Sequence, residues 1–129
     1  MPAQILIVDD NENVRRGLRR LLAESPDWEI CGEAVNGLDA IDKSRQLKPD
    51  LILMDFFMPN MDGLEATRKI TQTSPHPAIL MLTMYMSRQL ADEARRAGAR
   101  GAMHKDEISR VVDALQALLR RETFFLPAK

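Results

Sequence analysis

The sequence predicts an α/β fold in which a doubly wound parallel sheet carries helices on both faces. Strand-like and helix-like segments alternate five times along the 129 residues, with short connections between them. Several strand-like segments are continuous apolar runs, which are typical of parallel strands buried on both faces. No internal repeat or low-complexity segment interrupts the alternation, so we expect one domain with a sizeable core.

Three of the five predicted strands are continuous apolar runs, at residues 5–8, 51–54 and 78–82. A fourth, short strand is predicted at 101–104 and leads into Lys105. The three apolar runs each lead directly into a polar residue, and the run at 51–54 leads into Asp55. We therefore expect buried strands whose carboxyl ends carry polar side chains.

The remaining predicted strand, residues 28–35, alternates between polar and less polar positions. The alternation places Glu29, Cys31 and Glu33 on one face. Ile30, Gly32 and Ala34 are then predicted to share the other face. Half-polar alternation of this kind is typical of an edge strand.

Helical periodicity follows each strand. It covers approximately residues 11–22, 38–47, 64–70, 87–96 and 108–121. Asn11 is a plausible N-cap of the first helix. The fourth helix has only a thin apolar stripe, so we expect it to be among the more mobile elements. The fifth is strongly amphipathic.

The polar face of the first helix is basic. It is formed by Arg15, Arg16, Arg19 and Arg20. Two interpretations remain open: a solvated face, or a docking face for an acidic or phosphorylated partner.

Composition excludes several classes of function. The net charge is −1, so bulk electrostatics do not indicate that this segment binds nucleic acid or an anionic membrane surface. Cys31 is the only cysteine, which excludes an internal disulfide and a cysteine-based metal site. The sequence contains no run of eighteen apolar residues and no basic leader followed by an apolar stretch. We expect a cytoplasmic protein that does not enter the membrane.

The predicted carboxyl edge of the sheet collects chemically active residues. These are Asp9, Asp10, Asp55, Thr83 and Lys105. Three crowded carboxylates repel one another and favour a hard cation such as Mg²⁺, which prefers oxygen ligands. Zn²⁺ does not fit, because Cys31 and the two histidines are scattered along the chain.

This set of groups is suited to phosphoryl transfer. A metal ion and Lys105 would neutralise the phosphoryl oxygens while the carboxylate of Asp55 attacks. Thr83 can donate a hydrogen bond to one of those oxygens.

The sequence resembles the receiver domain of two-component response regulators along essentially its whole length. The resemblance rests on the pair Asp9 and Asp10, on Asp55, and on Thr83 and Lys105, in that order. Met58-Pro59 and Asp62-Gly63 after Asp55 also match. It implies a flavodoxin-like, five-stranded sheet with strand order 2-1-3-4-5. The Lys-Asp pair at 105–106 and the stretch 28–36 resemble the NarL-like (LuxR/FixJ-type) subfamily.

The resemblance also implies a role for each site residue. Asp55 would accept a phosphoryl group from a phosphohistidine of a sensor kinase. Asp10, Asp55 and the backbone carbonyl of Phe57 would bind Mg²⁺, with Asp9 supporting the ion, often through water. Thr83 and Lys105 would bind the phosphoryl oxygens and relay their presence to the region 83–117. Such a protein is a signalling switch and does not turn over a separate metabolite.

Two positions depart from the family pattern. Many receivers carry an aromatic residue, whose rotation tracks phosphorylation, three positions before the lysine, where this chain has Ala102. Many also have proline after the lysine, whereas Asp106 follows Lys105 here. In addition, Phe57 and Tyr85 lie at the family positions that flank the path of attacking water, and we expect them to slow hydrolysis of the phosphoryl group.

The resemblance predicts a receiver domain at 1–121 and a C-terminal tail or linker at 122–129. Members of the NarL-like subfamily usually continue into a helix-turn-helix DNA-binding domain. The chain is therefore expected to be the receiver of a longer transcription regulator. The alternative is a stand-alone receiver that acts through protein contacts, and homodimerisation on phosphorylation is possible in both cases.

Two other functional classes compete with a receiver. A phosphatase of the haloacid dehalogenase type also uses an aspartyl phosphate, but it needs a second carboxylate where this chain has Phe57. A flavin-binding module needs a hydroxyl- and glycine-rich phosphate loop after the first strand. Asp9 and Asp10 occupy that place and would repel a phosphate.

Overall fold

The computed structural model describes residues 2–73 and 75–126, which form a parallel sheet with helices on both faces. The strands are β1 Ala3–Val8, β2 Trp28–Ala34, β3 Leu51–Asp55, β4 Ala78–Thr83, β5 Gly101–His104 and β6 Phe124–Phe125. The helices are α1 Glu12–Leu22, α2 Gly37–Leu47, α3 Gly63–Thr71, α4 Arg88–Ala97 and α5 Val111–Leu119. A 3₁₀ helix, Lys105–Arg110, joins β5 to α5.

The strand order is β2-β1-β3-β4-β5-β6, and all neighbouring strands are parallel. The predicted order of the first five strands is confirmed, but the prediction of five strands is wrong. The sixth strand, β6, pairs Phe124 with Gly101 and Phe125 with Ala102. A Cβ on Gly101 would lie 2.6 Å from the carbonyl oxygen of Phe124, so glycine at this position permits the close approach.

The strand β6 lies inside the segment that the sequence assigns to a tail or linker. Two residues are too few to show a period, which explains why the pattern did not reveal a strand there. Residues 127–129 of the same segment lie outside the described residues.

Each face of the sheet has its own apolar core. The face covered by α2, α3 and α4 includes Ile41, Ile70 and Ala94. The face covered by α1 and α5 includes Leu18 and Leu115. Because β1, β3 and β4 contribute to both cores, they have the continuous apolar sequences on which the fold prediction was based.

The edge strand β2 differs in detail from its predicted alternation. Ile5 of β1 pairs with Ile30, and the next residue, Leu6, pairs with Gly32, so Cys31 is an extra residue in the ladder. Such a bulge reverses the facing of the residues that follow. Ile30 consequently packs against one core while Ala34 belongs to the other, although the alternation predicted a shared face.

The helices begin close to their predicted positions. The side chain of Asn11 accepts hydrogen bonds from the N–H groups of Asn13 and Val14, as expected of an N-cap. The last helix differs, because α5 starts at Val111 and the preceding turns are 3₁₀. The ring of His104 accepts the N–H of Asp106 and caps that 3₁₀ segment. Within the described part of the chain, every helix is too short or too polar to cross a bilayer.

Packing predicts that α4 is less stable than α5. The buried side chains of α4 are Ala91, Ala94 and Ala97. Those of α5 are Val111, Ala114, Leu115, Ala117 and Leu118. We expect amide hydrogens of α4 to exchange at least about tenfold faster than those of α5, since burying alanine removes less apolar surface from water. Hydrogen exchange monitored by NMR tests this, and equal protection of the two helices would contradict it.

Candidate functional site

The candidate site lies at the carboxyl edge of the sheet, where four neighbouring strands end. Asp9 and Asp10 follow β1, and Asp55 is the last residue of β3. Thr83 ends β4, and Lys105 follows β5. The structure therefore places all five residues at the same edge, as expected for carboxyl ends of parallel strands.

Lys105 joins two of the carboxylates directly. Its Nζ lies 2.8 Å from Oδ2 of Asp9 and 3.0 Å from Oδ1 of Asp55. The three side chains are largely buried, with exposed fractions of 13%, 2% and 6% respectively. Buried charged groups need partners of opposite charge. Here the ammonium group of Lys105 is the partner of both carboxylates, and the two carboxylates are its partners.

Asp9 is held in place by its own neighbours. The N–H of Asn11 donates to Oδ1 of Asp9 at 2.9 Å, and the guanidinium of Arg15 donates to the backbone oxygen of Asp9 at 2.8 Å. Arg15 also donates to Glu33 of β2 at 2.7 Å, and Arg19 pairs with the same carboxylate. The first turns of α1 are thereby attached to the loop that carries Asp9.

This role of Arg15 was missed by sequence reasoning, which offered only a solvated face or a docking face for the arginines of α1. The available signal was Glu33, an acidic residue near the end of the edge strand beside that helix. Arg15 is 14% exposed in its side chain, whereas Arg16 is 55% exposed. Arg15 is therefore a largely buried structural residue of this face, whereas Arg16 is exposed and, among the described residues, pairs only with Glu12 of its own helix at 3.8 Å.

Burial and a like charge dominate the electrostatics of Asp55. Desolvation and the nearby carboxylate of Asp9 raise the pKa of Asp55 from 3.8 to about 6, although Lys105 opposes the change. Burial lowers the pKa of Lys105, but the hydrogen bonds to Asp9 and Asp55 outweigh it, so this pKa is raised overall. Lys105 therefore stays charged, while the raised pKa of Asp55 lies at about 6.

The raised pKa of Asp55 has a definite consequence for stability in the metal-free protein. Between about pH 4 and about pH 6 the native state binds more protons than the unfolded chain, in which the carboxyl group has its ordinary pKa. The free energy of unfolding therefore falls as the pH rises through this interval. A cation bound by the carboxylates would offset the loss.

The carboxylates are close enough to share a metal ion. Oxygen atoms of Asp9, Asp10 and Asp55 all lie within 4.8 Å of one another, and Asp10 is exposed to solvent. Three carboxylates, of which only that of Asp10 is exposed, suit Mg²⁺, which takes oxygen ligands and retains several waters. Among the described residues, the carbonyl of Phe57 accepts no hydrogen bond, whereas that of Phe56 accepts the N–H of Gly63 at 2.9 Å.

The loop after β3 is tightly fitted around Asp55. A Cβ on Gly63 would lie 2.0 Å from the backbone oxygen of Asp55, so no other residue fits there without moving the loop. The N–H of Gly37 donates to the backbone oxygen of Met61 at 2.9 Å and attaches this loop to the start of α2. The sequence analysis noted Asp62-Gly63 only as part of the family resemblance and did not reveal this contact.

Thr83 and two aromatic rings complete the edge. Thr83 is fully buried, and its Oγ accepts the N–H of Tyr85 at 3.1 Å, which leaves the hydroxyl hydrogen free to donate elsewhere. The rings of Phe57 and Tyr85 meet edge to face with centroids 6.3 Å apart. Both residues are more than half exposed, and they lie two positions after Asp55 and Thr83 respectively.

The sequence is similar to proteins of one known family. Residues 5–116 match the family described as the response regulator receiver domain. The response regulator protein VraR of Staphylococcus aureus is 39% identical over 128 residues, which cover 98% of this chain and 61% of VraR. The chain spans about 60% of the length of the curated relatives it matches.

The fold is also similar to solved structures of response regulators. A LuxR-family two-component response regulator from Aurantimonas sp. superposes with a TM-score of 0.91 at 34% identity, covering 96% of this chain and 89% of that one. The response regulator domain of Thermotoga maritima CheB superposes with a TM-score of 0.79 at 31% identity, covering 94% of this chain and 93% of that one.

Mg²⁺ should stabilise the protein in a pH-dependent way. We expect Mg²⁺ to raise the melting temperature more at about pH 7.5 than at about pH 5, where protonation of Asp55 lowers the apparent affinity about tenfold. Thermal unfolding with and without Mg²⁺ at both pH values measures the difference. Asp55→Asn should lose most of the shift, while Asp92→Asn, an exposed position of α4, should retain it. An equal shift at both pH values would contradict the assignment.

Proposed function

Because the chain belongs to the response regulator receiver domain family, we propose that Asp55 accepts a phosphoryl group in a reaction assisted by Mg²⁺. The observation that carries the proposal is the buried contact of Lys105 with both Asp9 and Asp55 beside an exposed third carboxylate. The contact brings a nucleophilic carboxylate, a charge-neutralising ammonium group and oxygen ligands for a cation to one point.

The chemistry that follows is a nucleophilic displacement at phosphorus. An oxygen of the Asp55 carboxylate attacks the phosphorus of a phosphohistidine, the bond from phosphorus to the imidazole nitrogen breaks, and the electron pair stays with the imidazole. Lys105 and the hydroxyl of Thr83 donate hydrogen bonds to the phosphoryl oxygens. A bound Mg²⁺ would be held by Asp10, Asp55 and the Phe57 carbonyl, with Asp9 in support, and would neutralise developing charge.

The phosphoryl group acts as a signal because it changes the charge of the edge. It replaces the single negative charge of the Asp55 carboxylate with nearly two and adds new acceptor oxygens. Lys105, which now bridges Asp9 and Asp55, and Thr83 are drawn toward this charge. The region from β4 to α5 has two arrangements. The phosphoryl group favours the one in which Thr83 and Lys105 contact it more strongly.

The partners of this switch are proposals supported by family membership. The phosphoryl donor is a sensor histidine kinase in the cytoplasm, and phosphorylation favours a homodimer. Because the curated relatives are longer than this chain, we propose that a DNA-binding output domain completes the regulator. The protein turns over no separate metabolite, since Phe57 stands where a phosphatase would need a proton donor.

The receiver unit itself is proposed to extend to Leu126 and not to end at residue 121. Phe125 is 6% exposed, and the N–H of Leu126 donates to the carbonyl of Ala102 at 2.8 Å. Truncation after residue 121 would remove these contacts. A linker to an output domain would then begin after Leu126.

Phosphorylation by a small donor tests the proposed chemistry. Incubation with acetyl phosphate or phosphoramidate should add the mass of one phosphoryl group in the presence of Mg²⁺ and not in the presence of a chelator. Asp55→Asn should abolish the adduct, while Asp42→Asn, at an exposed position of α2, should leave it unchanged. Intact-mass spectrometry reads the outcome. An adduct that persists in Asp55→Asn would refute Asp55 as the acceptor.

The two exposed rings predict a slow loss of the phosphoryl group. Replacing both Phe57 and Tyr85 with serine should accelerate hydrolysis at least about tenfold, equivalent to about 1.4 kcal/mol in the barrier, because water then reaches the phosphorus more easily. Met84→Ser, an exposed position of the same loop, provides the matched control. The measurement is the decay of the phosphorylated mass after removal of the donor. An unchanged decay in the double variant would refute the shielding role.

A further inference from the structure

The strand β6 is attached to the sheet by little backbone. The N–H of Phe124 donates to the carbonyl of Arg100 at 3.0 Å, and the N–H of Leu126 donates to that of Ala102 at 2.8 Å. So short a strand cannot hold itself on a sheet edge through backbone hydrogen bonds alone. Its side chains therefore decide whether it stays in place.

Phe125 packs in the part of the core where Ala102 provides only a methyl group. The two residues are partners in the register of β5 and β6, and both belong to the core under α2, α3 and α4. Ala102 is fully buried and Phe125 is 6% exposed. The resemblance to receivers predicts an aromatic residue at position 102. In this protein an aromatic ring reaches the neighbouring space from the C-terminal strand.

Two arginines from different elements hold the rings of β6. The guanidinium of Arg95 in α4 lies over the ring of Phe125, 4.1 Å from its centroid. The guanidinium of Arg110, at the end of the 3₁₀ helix, lies 5.6 Å from the centroid of Phe124. Both distances are within the range of cation–π attraction. Each of the two phenylalanines of β6 is thus in contact with one arginine, Phe125 with Arg95 and Phe124 with Arg110.

Both anchors belong to elements that begin at the candidate site. α4 follows Thr83 after a four-residue loop, and the 3₁₀ helix begins with Lys105 itself. A displacement of Thr83 or Lys105 toward a phosphoryl group on Asp55 therefore moves an element that contacts β6. Both arginine contacts are formed in this structure, and a displacement of either element away from β6 would weaken them.

We propose that β6 is a docked segment whose release from β5 is the output of this receiver, controlled through Arg95 and Arg110. This inference rests on the proposed function of Asp55 and adds the element that responds to it. Release separates Phe125 from Ala102 and uncovers the edge of β5. Whatever follows β6 in a longer protein is then freed together with it.

The test measures how tightly β6 is docked in the 129-residue protein. Amide exchange of Phe124 and Leu126 is followed by NMR in Mg²⁺ alone and after addition of beryllofluoride, which mimics a phosphoryl group. We expect exchange of both amides to accelerate about tenfold, a shift of about 1.4 kcal/mol in the docking equilibrium. Arg95→Gln and Arg110→Gln should accelerate it without beryllofluoride.

Arg96→Gln is the matched control, because Arg96 is an exposed neighbour in α4 and lies over no aromatic ring among the described residues. It should leave the exchange of both amides unchanged. If Arg95→Gln and Arg96→Gln have the same effect, the arginine contacts do not control docking, and the inference is wrong.

The outcomes separate the inference from the proposed function. Fluorine NMR reports whether beryllofluoride is bound. If it is bound and the amides of Phe124 and Leu126 exchange as before, release of β6 is refuted while Asp55 remains the acceptor. If neither beryllofluoride nor a phosphoryl group binds to the wild-type protein, the proposed function fails, and the inference fails with it.

Discussion

The buried ammonium group of Lys105 is the interaction on which the site depends. Two carboxylates that a parallel sheet brings together at depth repel each other, and burial adds to the cost of keeping both charged. Lys105 contacts both and reduces this cost, yet the pKa of Asp55 still rises to about 6. The edge therefore carries uncompensated negative charge, which favours a divalent cation there.

The architecture was accessible from the sequence because its main strands are buried on both faces. Such strands have continuous apolar runs, and their alternation with helical segments leaves few topologies. The sixth strand was not accessible for an equally physical reason. Phe124 and Phe125 become a strand only because Gly101 allows close approach and because a core lies beside Ala102. The bulge at Cys31 likewise follows from pairing with β1 and leaves no local signal.

The site, like the fold, has features that the sequence predicts and features that only the packed structure reveals. Asp9, Asp55 and Lys105 could be placed together because carboxyl ends of neighbouring parallel strands meet at one edge. Contacts that depend on the rotation of a helix could not be anticipated, and Arg15, bonded to Asp9 and Glu33, is the clearest case. The pKa of Asp55 depends on its depth, which only the packed structure provides.

The tight fit of Gly63 against the backbone of Asp55 gives the molecule an immobile side and a compliant side. On the immobile side, the loop after β3 is wedged against Asp55 and bonded to the start of α2. On the compliant side, α4 rests on the sheet through alanine side chains. A movement at Asp55 is opposed by tight packing on the side of β2 and by little packing on the side of β5. The direction in which such a movement spreads across the sheet is therefore determined by the packing of the chain itself, before any partner binds.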